Sequence, residues 1–546
     1  MPVDGKTIQK NDMYSPVIES LKKSLKDTFE IPEGYTYKEY DEYFVSGSRK
    51  EFERKYFMYR RRLAASFMLY YIYEADEYRD ILVETIWCIC NEFSWCLPNH
   101  SENETEISEK FDFIDLFAAE TGEAMAEILH FMGDKLPERL TSRMRFELNR
   151  RIFAPFERKT FWWETVDFNW SAVCAGCVGM AYLYENKEAF EKVKPRILGA
   201  MDCFLSGFSE EGVCFEGLDY WNYGFGYYIY FAELLLNMTG EDLLHREMAE
   251  KAAHFQQKMF ISGTIVSFSD CPREVKYSPG LTAFLAKTYK NIHIPQGINP
   301  SYMDFCGRFA SAVRNVLWQD ESTSISEETG TEFLKTAGWF LAHKQNFSFA
   351  AKAGNNDEPH NHNDVGSFIL AANGDQVLCD YGSGEYTQAY FTPETRYLDL
   401  CNSSLGHSVP IIDETAQSAG AEFAAAEVAA GEDFFTADIG GAYKHKSLQS
   451  LKRRFEVREN GVALCDTYAF SDNDKHEICE RFVSLKKPIL TKDGVQIGGF
   501  VLKCDSEPTF SEGIVKNHST MQPETLYFTD YCGDFKTFAL EILKIK

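Results

Sequence analysis

The sequence has no apolar run of 18 residues, so it offers no segment that could cross a membrane as a helix. Its first stretch, MPVDGKTIQKNDMYSP, lacks the apolar centre of a secretory signal, which predicts a cytoplasmic protein; a periplasmic or secreted location would need a leader already removed from this chain. Positive charge is also scarce. With 56 Lys and Arg against 83 Asp and Glu the formal charge is -27, a field that repels nucleic acid and anionic membranes. The CxxC of Cys174 and Cys177 has no second pair at zinc-finger spacing. The 15 cysteines, odd in number and set in surroundings such as IWCICNEF and LCDTYAF, read as reduced core thiols. Core material, by contrast, is plentiful. Hydrophobic residues make up 45% and aromatics 15%, which excludes a disordered chain.

A length of 546 residues exceeds one core of ordinary size, and the periodicity of the sequence divides it. From about residue 15 to 335, segments such as RRRLAASFMLYYIYEA (60–75), DFIDLFAAETGEAMAEILHFM (112–132) and HREMAEKAAHFQQKMF (245–260) repeat apolar residues every three or four positions, which predicts packed helical hairpins forming a bundle, solenoid or toroid. After TAGWFLAHKQ the period becomes two. SFILAANGDQVLCDYG (367–382) is a pair of apolar runs about an Asn-Gly turn, and RRFEVRENGVALCDTYAF (453–470) repeats the pattern. The expected architecture is multidomain, α then β: a helical domain over 1–335 and an antiparallel β-sandwich over 336–546. The lack of alternation argues against a parallel α/β sheet.

Chemistry concentrates in three places. In EPHNHNDVGSF (358–368), an extended chain would turn His360 and His362 to one side, and the following hairpin would return Asp380 beside them. With His407 of NSSLGHSVP, two imidazoles and a carboxylate would make a first shell for Zn²⁺; taking His362, Asp380 and His407 leaves His360 free to act on a substrate. The alternative is a hydrogen-bonded loop before a buried strand. The second place is FWWETVDFNWSAVCAGC (161–177), with Asn169 and Trp170 at the start of a small-residue helix, where Asn169 is either a helix cap or a ligand group. The third is EEGVCFEGLDYWNYGFGYYIYF (210–231), in which Tyr220, Tyr223 and Tyr227 share a helix face, either as core or as a surface for sugar rings.

FNWSAVCAG, EGLDYWNYG, HNHNDVGSF, CDYG and RYLDLCNSSLGHSVP occur in that order, and the chain resembles the heparinase II/III-like polysaccharide lyases over about residues 110–420. The resemblance implies an N-terminal (α/α) toroid followed by a C-terminal antiparallel β-sandwich. It makes His362, Asp380 and His407 the ligands of a Zn²⁺, or another divalent ion, of structural purpose. It places His360 at the substrate cleft, Asn169 on the uronate carboxylate, and proton transfer on Tyr223, with Tyr220 as competitor. Trp170, Trp221, Arg396, Tyr390 and Tyr397 are the accompanying candidates for substrate contact. The implied reaction is β-elimination on uronate-containing polysaccharides or oligosaccharides, glycosaminoglycans first, leaving 4,5-unsaturated uronate ends.

The implied partner is an acidic glycan, with no nucleic acid and no membrane; a homo-oligomer is left open. Arg143, Arg145, Arg150 and Arg151 are expected either to join Arg396 at the cleft or to form a solvated face. Three other readings compete. A toroid glycoside hydrolase would use Glu216 and Asp219, a metal hydrolase would use the HxHxD stretch, and a non-catalytic carbohydrate-binding protein would keep a structural zinc.

Overall fold

The computed structural model describes residues 3–101, 112–274, 276–326, 330–517 and 522–545. The helices of its first half run from Gly5–Lys10 to Phe309–Leu317, and two short ones, Gln388–Phe391 and Pro393–Arg396, lie within the β half. The apolar stripe around RRRLAASF becomes Lys50–Tyr73, which buries Phe57, Leu63, Phe67 and Ile72 and stops where Glu74 turns left-handed at φ 51. Leu116–Met132 starts on Asp115, whose side chain accepts from the Ala118 N–H at 2.7 Å. The small-residue helix Asn169–Glu185 packs against Leu116–Met132, Lys187–Ser206 and Leu218–Thr239. Glycine is required for that approach: a Cβ on Gly179 would lie 2.5 Å from Cε2 of Phe231. Phe309–Leu317 returns to pack on Lys50–Tyr73 and Leu116–Met132, closing the ring of the toroid. One expectation needs correction. The stretch 245–260 is not one helix but Glu247–Ala253 and Phe255–Met259, because the His254 ring bonds the carbonyls of Glu250 and Lys290 between them.

The second half is antiparallel. A five-stranded sheet holds Gly330–Leu334, Trp339–Lys344, Phe347–Lys352, Phe368–Ala372 and Asp375–Leu378, so the sheet begins a few residues before the 335/336 boundary drawn from sequence. The Asn-Gly turn is present, with Asn373 at φ 53 and Gly374 at φ 83 joining the last two strands. Alternation explains why this sheet is buried on both faces. Trp339, Leu341, Ala350, Ile369 and Ala371 join the helical core, whereas Phe340, Ala342, Phe349, Phe368 and Leu370 face an eight-stranded sheet and form the sandwich interior. The helical and β halves are therefore locked together by one shared layer.

A four-stranded sheet completes this half, and across it Cys479 and Cys532 stand opposite each other with Cα atoms 4.1 Å apart and form a disulfide. That corrects the expectation of reduced thiols throughout. Cys174 and Cys177 are free and fully buried within Asn169–Glu185, and burial pushes both thiols far up, as suits core residues. Among the described residues no helix is long and apolar enough to cross a membrane.

Candidate functional site

Between the helical ring and the β half lies a cleft of about 640 Å³, lined on one side by Asn169, Trp170, Tyr220, Tyr223 and Arg308 and on the other by His360, Tyr386 and Phe391. Asn169 opens its helix without capping it; Phe168 occupies the cap position. The Asn169 side chain reaches across instead, its Nδ2 donating to Oε1 of Glu216 at 2.7 Å and its backbone N–H to Oε2 at 3.2 Å. Its Oδ1 is buried and has no partner. Glu216 is itself buried, and desolvation pushes its carboxyl up from the ordinary range against the pull of His360 and Asn169.

His360 sits on strained backbone, at φ 57, in a turn and not in the extended chain that its sequence suggests. Its carbonyl accepts from the Asp270 N–H at 3.1 Å, which fixes the turn. Asp270 is the residue that sequence reasoning missed. Fully buried, its carboxylate takes His360 Nδ1 at 2.8 Å, His362 Nε2 at 3.0 Å, Arg396 Nη2 at 3.1 Å and the Tyr390 hydroxyl. Burial pushes that carboxyl up, but Arg396 and the two histidines outweigh it and hold it well below the usual range. With Nδ1–H given to Asp270, a neutral His360 presents a bare Nε2 toward the cleft, 3.4 Å from Glu216 Oε1.

Both tyrosine candidates line the cleft. Tyr220 stacks on His360 with ring centroids 4.2 Å apart, and its hydroxyl meets that of Tyr386 at 3.1 Å. Tyr223 lies beside Asn169, because the next residue is Gly224, where a Cβ would stand 3.1 Å from the Asn169 Cα. The Tyr223 hydroxyl donates to Glu120, and the Arg308 guanidinium covers its ring at 3.8 Å. Burial pushes both phenols up; at Tyr223 Glu120 adds to this and Arg308 opposes it. Glu120 is buried and pushed up to about 7, against the opposing charge of Arg308.

Behind His360 the chain builds a separate cluster. His362, Asp380 and His407 converge with Asp364 so that one donor atom from each lies within 4.8 Å of the others, all of them buried. The outer nitrogen of each imidazole is already held, His362 Nε2 by Asp270 and His407 Nε2 by the Cys401 carbonyl at 2.8 Å. The inward atoms, Nδ1 of both histidines and Oδ2 of Asp380, have no hydrogen-bond partner. Oriented imidazoles with orphaned inner donors fit a divalent cation. Asp364 is shared with the buried Lys352, 2.8 Å away.

Several expected contacts do not reach the cleft. Trp221 is fully buried, stacked on Phe225 with its Nε1 on the Ala252 carbonyl, because the helix turns it away from the face that holds Tyr220 and Tyr223. Tyr390 and Arg396 lie behind His360 on Asp270, and the Tyr397 hydroxyl is bound to Asn361 at 3.0 Å. Arg143, Arg150 and Arg151 gather on Glu147 and Arg145 pairs with Glu185, so none joins the cleft. The cations present there, Arg49, Lys276 and Arg308, carried no motif in the sequence.

Residues 327–506 match the family model described as Heparinase II/III-like, C-terminal. This C-terminal stretch is heparinase II/III-like. The fold of the chain is similar to that of heparinase III (TM-score 0.63, 13% identity, 94% of this chain and 79% of that one). It is also similar to a heparan sulfate lyase from Pedobacter heparinus (0.57, 11%, 100% and 86%) and to a chondroitin AC lyase from Streptomyces coelicolor A3 in complex with chondroitin sulphate (0.58, 9%, 98% and 80%). No curated protein matches in sequence. At these identities the likeness is one of fold, a helical toroid followed by a β-sandwich.

Proposed function

We propose that the protein is a polysaccharide lyase that cleaves uronate-containing polysaccharides or oligosaccharides by β-elimination, with Asn169, Tyr223 and His360 at the reacting centre. The observation that carries this reading is the meeting of these three residues, from distant stretches of the chain, on one cleft. Heparan sulfate and chondroitin sulphate, named for the similar structures, make glycosaminoglycans the first class to test.

The uronate C5–H is a poor acid because its loss pushes charge into a carboxylate that is already negative. Asn169 keeps a second Nδ2 hydrogen for that carboxylate and stabilises the developing enolate, while Glu216, which takes its first Nδ2 hydrogen and its backbone N–H, holds the amide in place. His360 Nε2 takes the C5 proton, held in the correct tautomer by Asp270. The C4–O4 bond breaks, the C4–C5 double bond forms, and the Tyr223 hydroxyl gives its proton to the departing O4. Glu120, pushed up to about 7, is matched to return a proton to Tyr223 near neutral pH. No water is consumed.

His362, Asp380 and His407, with Asp364 alongside, would hold a divalent ion, and two imidazoles with a carboxylate favour zinc. Bound there, it supplies a fixed charge that ties the loop of His360 to the strands around it. A metal hydrolase is disfavoured because the whole cluster is buried behind Asp270, out of reach of a sugar in the cleft. A glycoside hydrolase is disfavoured because Glu216 is bound twice by Asn169.

The test is the ultraviolet absorbance of unsaturated uronate during incubation with heparan sulfate, heparin, hyaluronan, chondroitin, dermatan and alginate, as polymers and as oligosaccharides. A rise that is lost in Tyr223→Phe and in His360→Ala supports the reading. New reducing ends without absorbance contradict it.

A further inference from the structure

We propose that the cleft admits chain ends and not chain interiors, so that the enzyme works exolytically and releases short unsaturated oligosaccharides; this rests on the lyase reading above. The helical ring and the β half touch backbone to backbone at one side of the cleft. Helix Tyr37–Ser46 ends at Gly47, left-handed at φ 76, whose carbonyl accepts from the Gln388 N–H at 3.3 Å. A Cβ on Gly47 would lie 2.9 Å from the Gln388 Cβ, so only glycine allows the two chains this close. Both sides of the bridge belong to the cleft wall, through Tyr43 and Arg49 on one side and Gln388 and Phe391 on the other. Arg49 is bound to Glu53 at 2.6 Å, which stiffens the ring side.

The bridge stands close to the reacting centre. Tyr220 stacks on His360 and its hydroxyl meets Tyr386, which is only two residues before Gln388, a span of at most about 7 Å. Phe391, four residues on from Thr387, sets its ring edge against His360 at 6.2 Å. A glycan laid across Asn169 and His360 therefore runs into a closed wall after a short segment on that side. Threading a long chain through would require parting Gly47 from Gln388.

The experiment follows product sizes and the size distribution of the remaining polymer from the first moments of digestion with the intact two-domain chain. The polymer is whichever uronate chain gives absorbance, and a sample of it sheared to half its length is compared at equal mass. Exolytic action predicts that the smallest unsaturated product appears at once, that the remaining polymer keeps its size, and that below saturation halving the length doubles the initial rate. A ladder of intermediate fragments, an immediate fall in polymer size, or a rate indifferent to the number of ends overturns the proposal while leaving β-elimination intact. Absence of unsaturated product from every polymer and oligosaccharide overturns the lyase reading and this proposal with it.

Discussion

Asp270→Asn removes one charge from a carboxylate that four donors share, and an asparagine offers one acceptor oxygen in place of two while bringing an N–H₂ of its own among those donors. The Arg396 guanidinium, 3.1 Å away with its side chain 11% exposed, loses its ionic partner in a buried place. Breaking such a pair from one side costs about 3–5 kcal/mol, and Arg396 keeps its bonds to the Asn361 and Tyr390 carbonyls, which points to the lower end, about 3 kcal/mol. Turnover should suffer separately. Without a carboxylate at Nδ1, His360 is free to hold its proton on Nε2, and losing an oriented base costs about 10²–10⁴ in rate. Urea unfolding gives the first quantity; kcat and KM on a responsive substrate, at a temperature where the variant remains folded, give the second, with KM changing little. An unfolding shift worth less than about 1 kcal/mol together with kcat within about threefold of the parent would refute the assignment of Asp270 as the residue that orients His360.

Glu120 should make both stability and rate depend on pH. Its pKa is raised on folding from 4.5 to about 7, so the stability it contributes is fully present below 4.5 and is lost as pH rises through about 7, a difference of about 3 kcal/mol that Glu120→Gln should abolish in pH-dependent unfolding. The same variant should lower kcat and flatten its pH profile near neutrality. Metal analysis of the protein should find about one divalent ion per chain, and His407→Ala should lose it and lower the Tm; a metal-free protein of unchanged Tm would remove the ion from the account. Reducing Cys479–Cys532, which are 53 residues apart, should destabilise the protein by about 4 kcal/mol on the loop-closure estimate, read as a shift in the urea midpoint with and without reductant.

The change of period near residue 336 was enough to separate helices from strands, because helical and strand burial leave different spacings in the chain. Asn169, the tyrosine face and the HNHND stretch were legible for a similar reason: each is a short local cluster with its chemistry on display. Asp270 was not, since it lies in the irregular FSDCPRE segment of the helical half and acquires meaning only when the β half brings His360 and His362 to it from 90 and 92 residues away. Glu216 was visible as a carboxylate, but its bond to Asn169 joins residues 47 apart in sequence. Trp221 was misplaced because a motif gives neighbours in sequence without saying which face of the helix is buried; two positions along the same helix, Tyr223 lines the cleft and Trp221 supports the core. The disulfide was hidden for lack of register, as nothing local tells which of 15 cysteines will stand opposite another across two strands.

Elimination and hydrolysis differ by a molecule of water, and the mass spectrum of both fragments from one defined uronate oligosaccharide reads that difference directly. β-Elimination gives two product masses that sum to the mass of the substrate, with one fragment carrying the unsaturated uronate. A sum larger by one water would mean hydrolysis, with Glu216 and Asp219 as the candidate carboxylates.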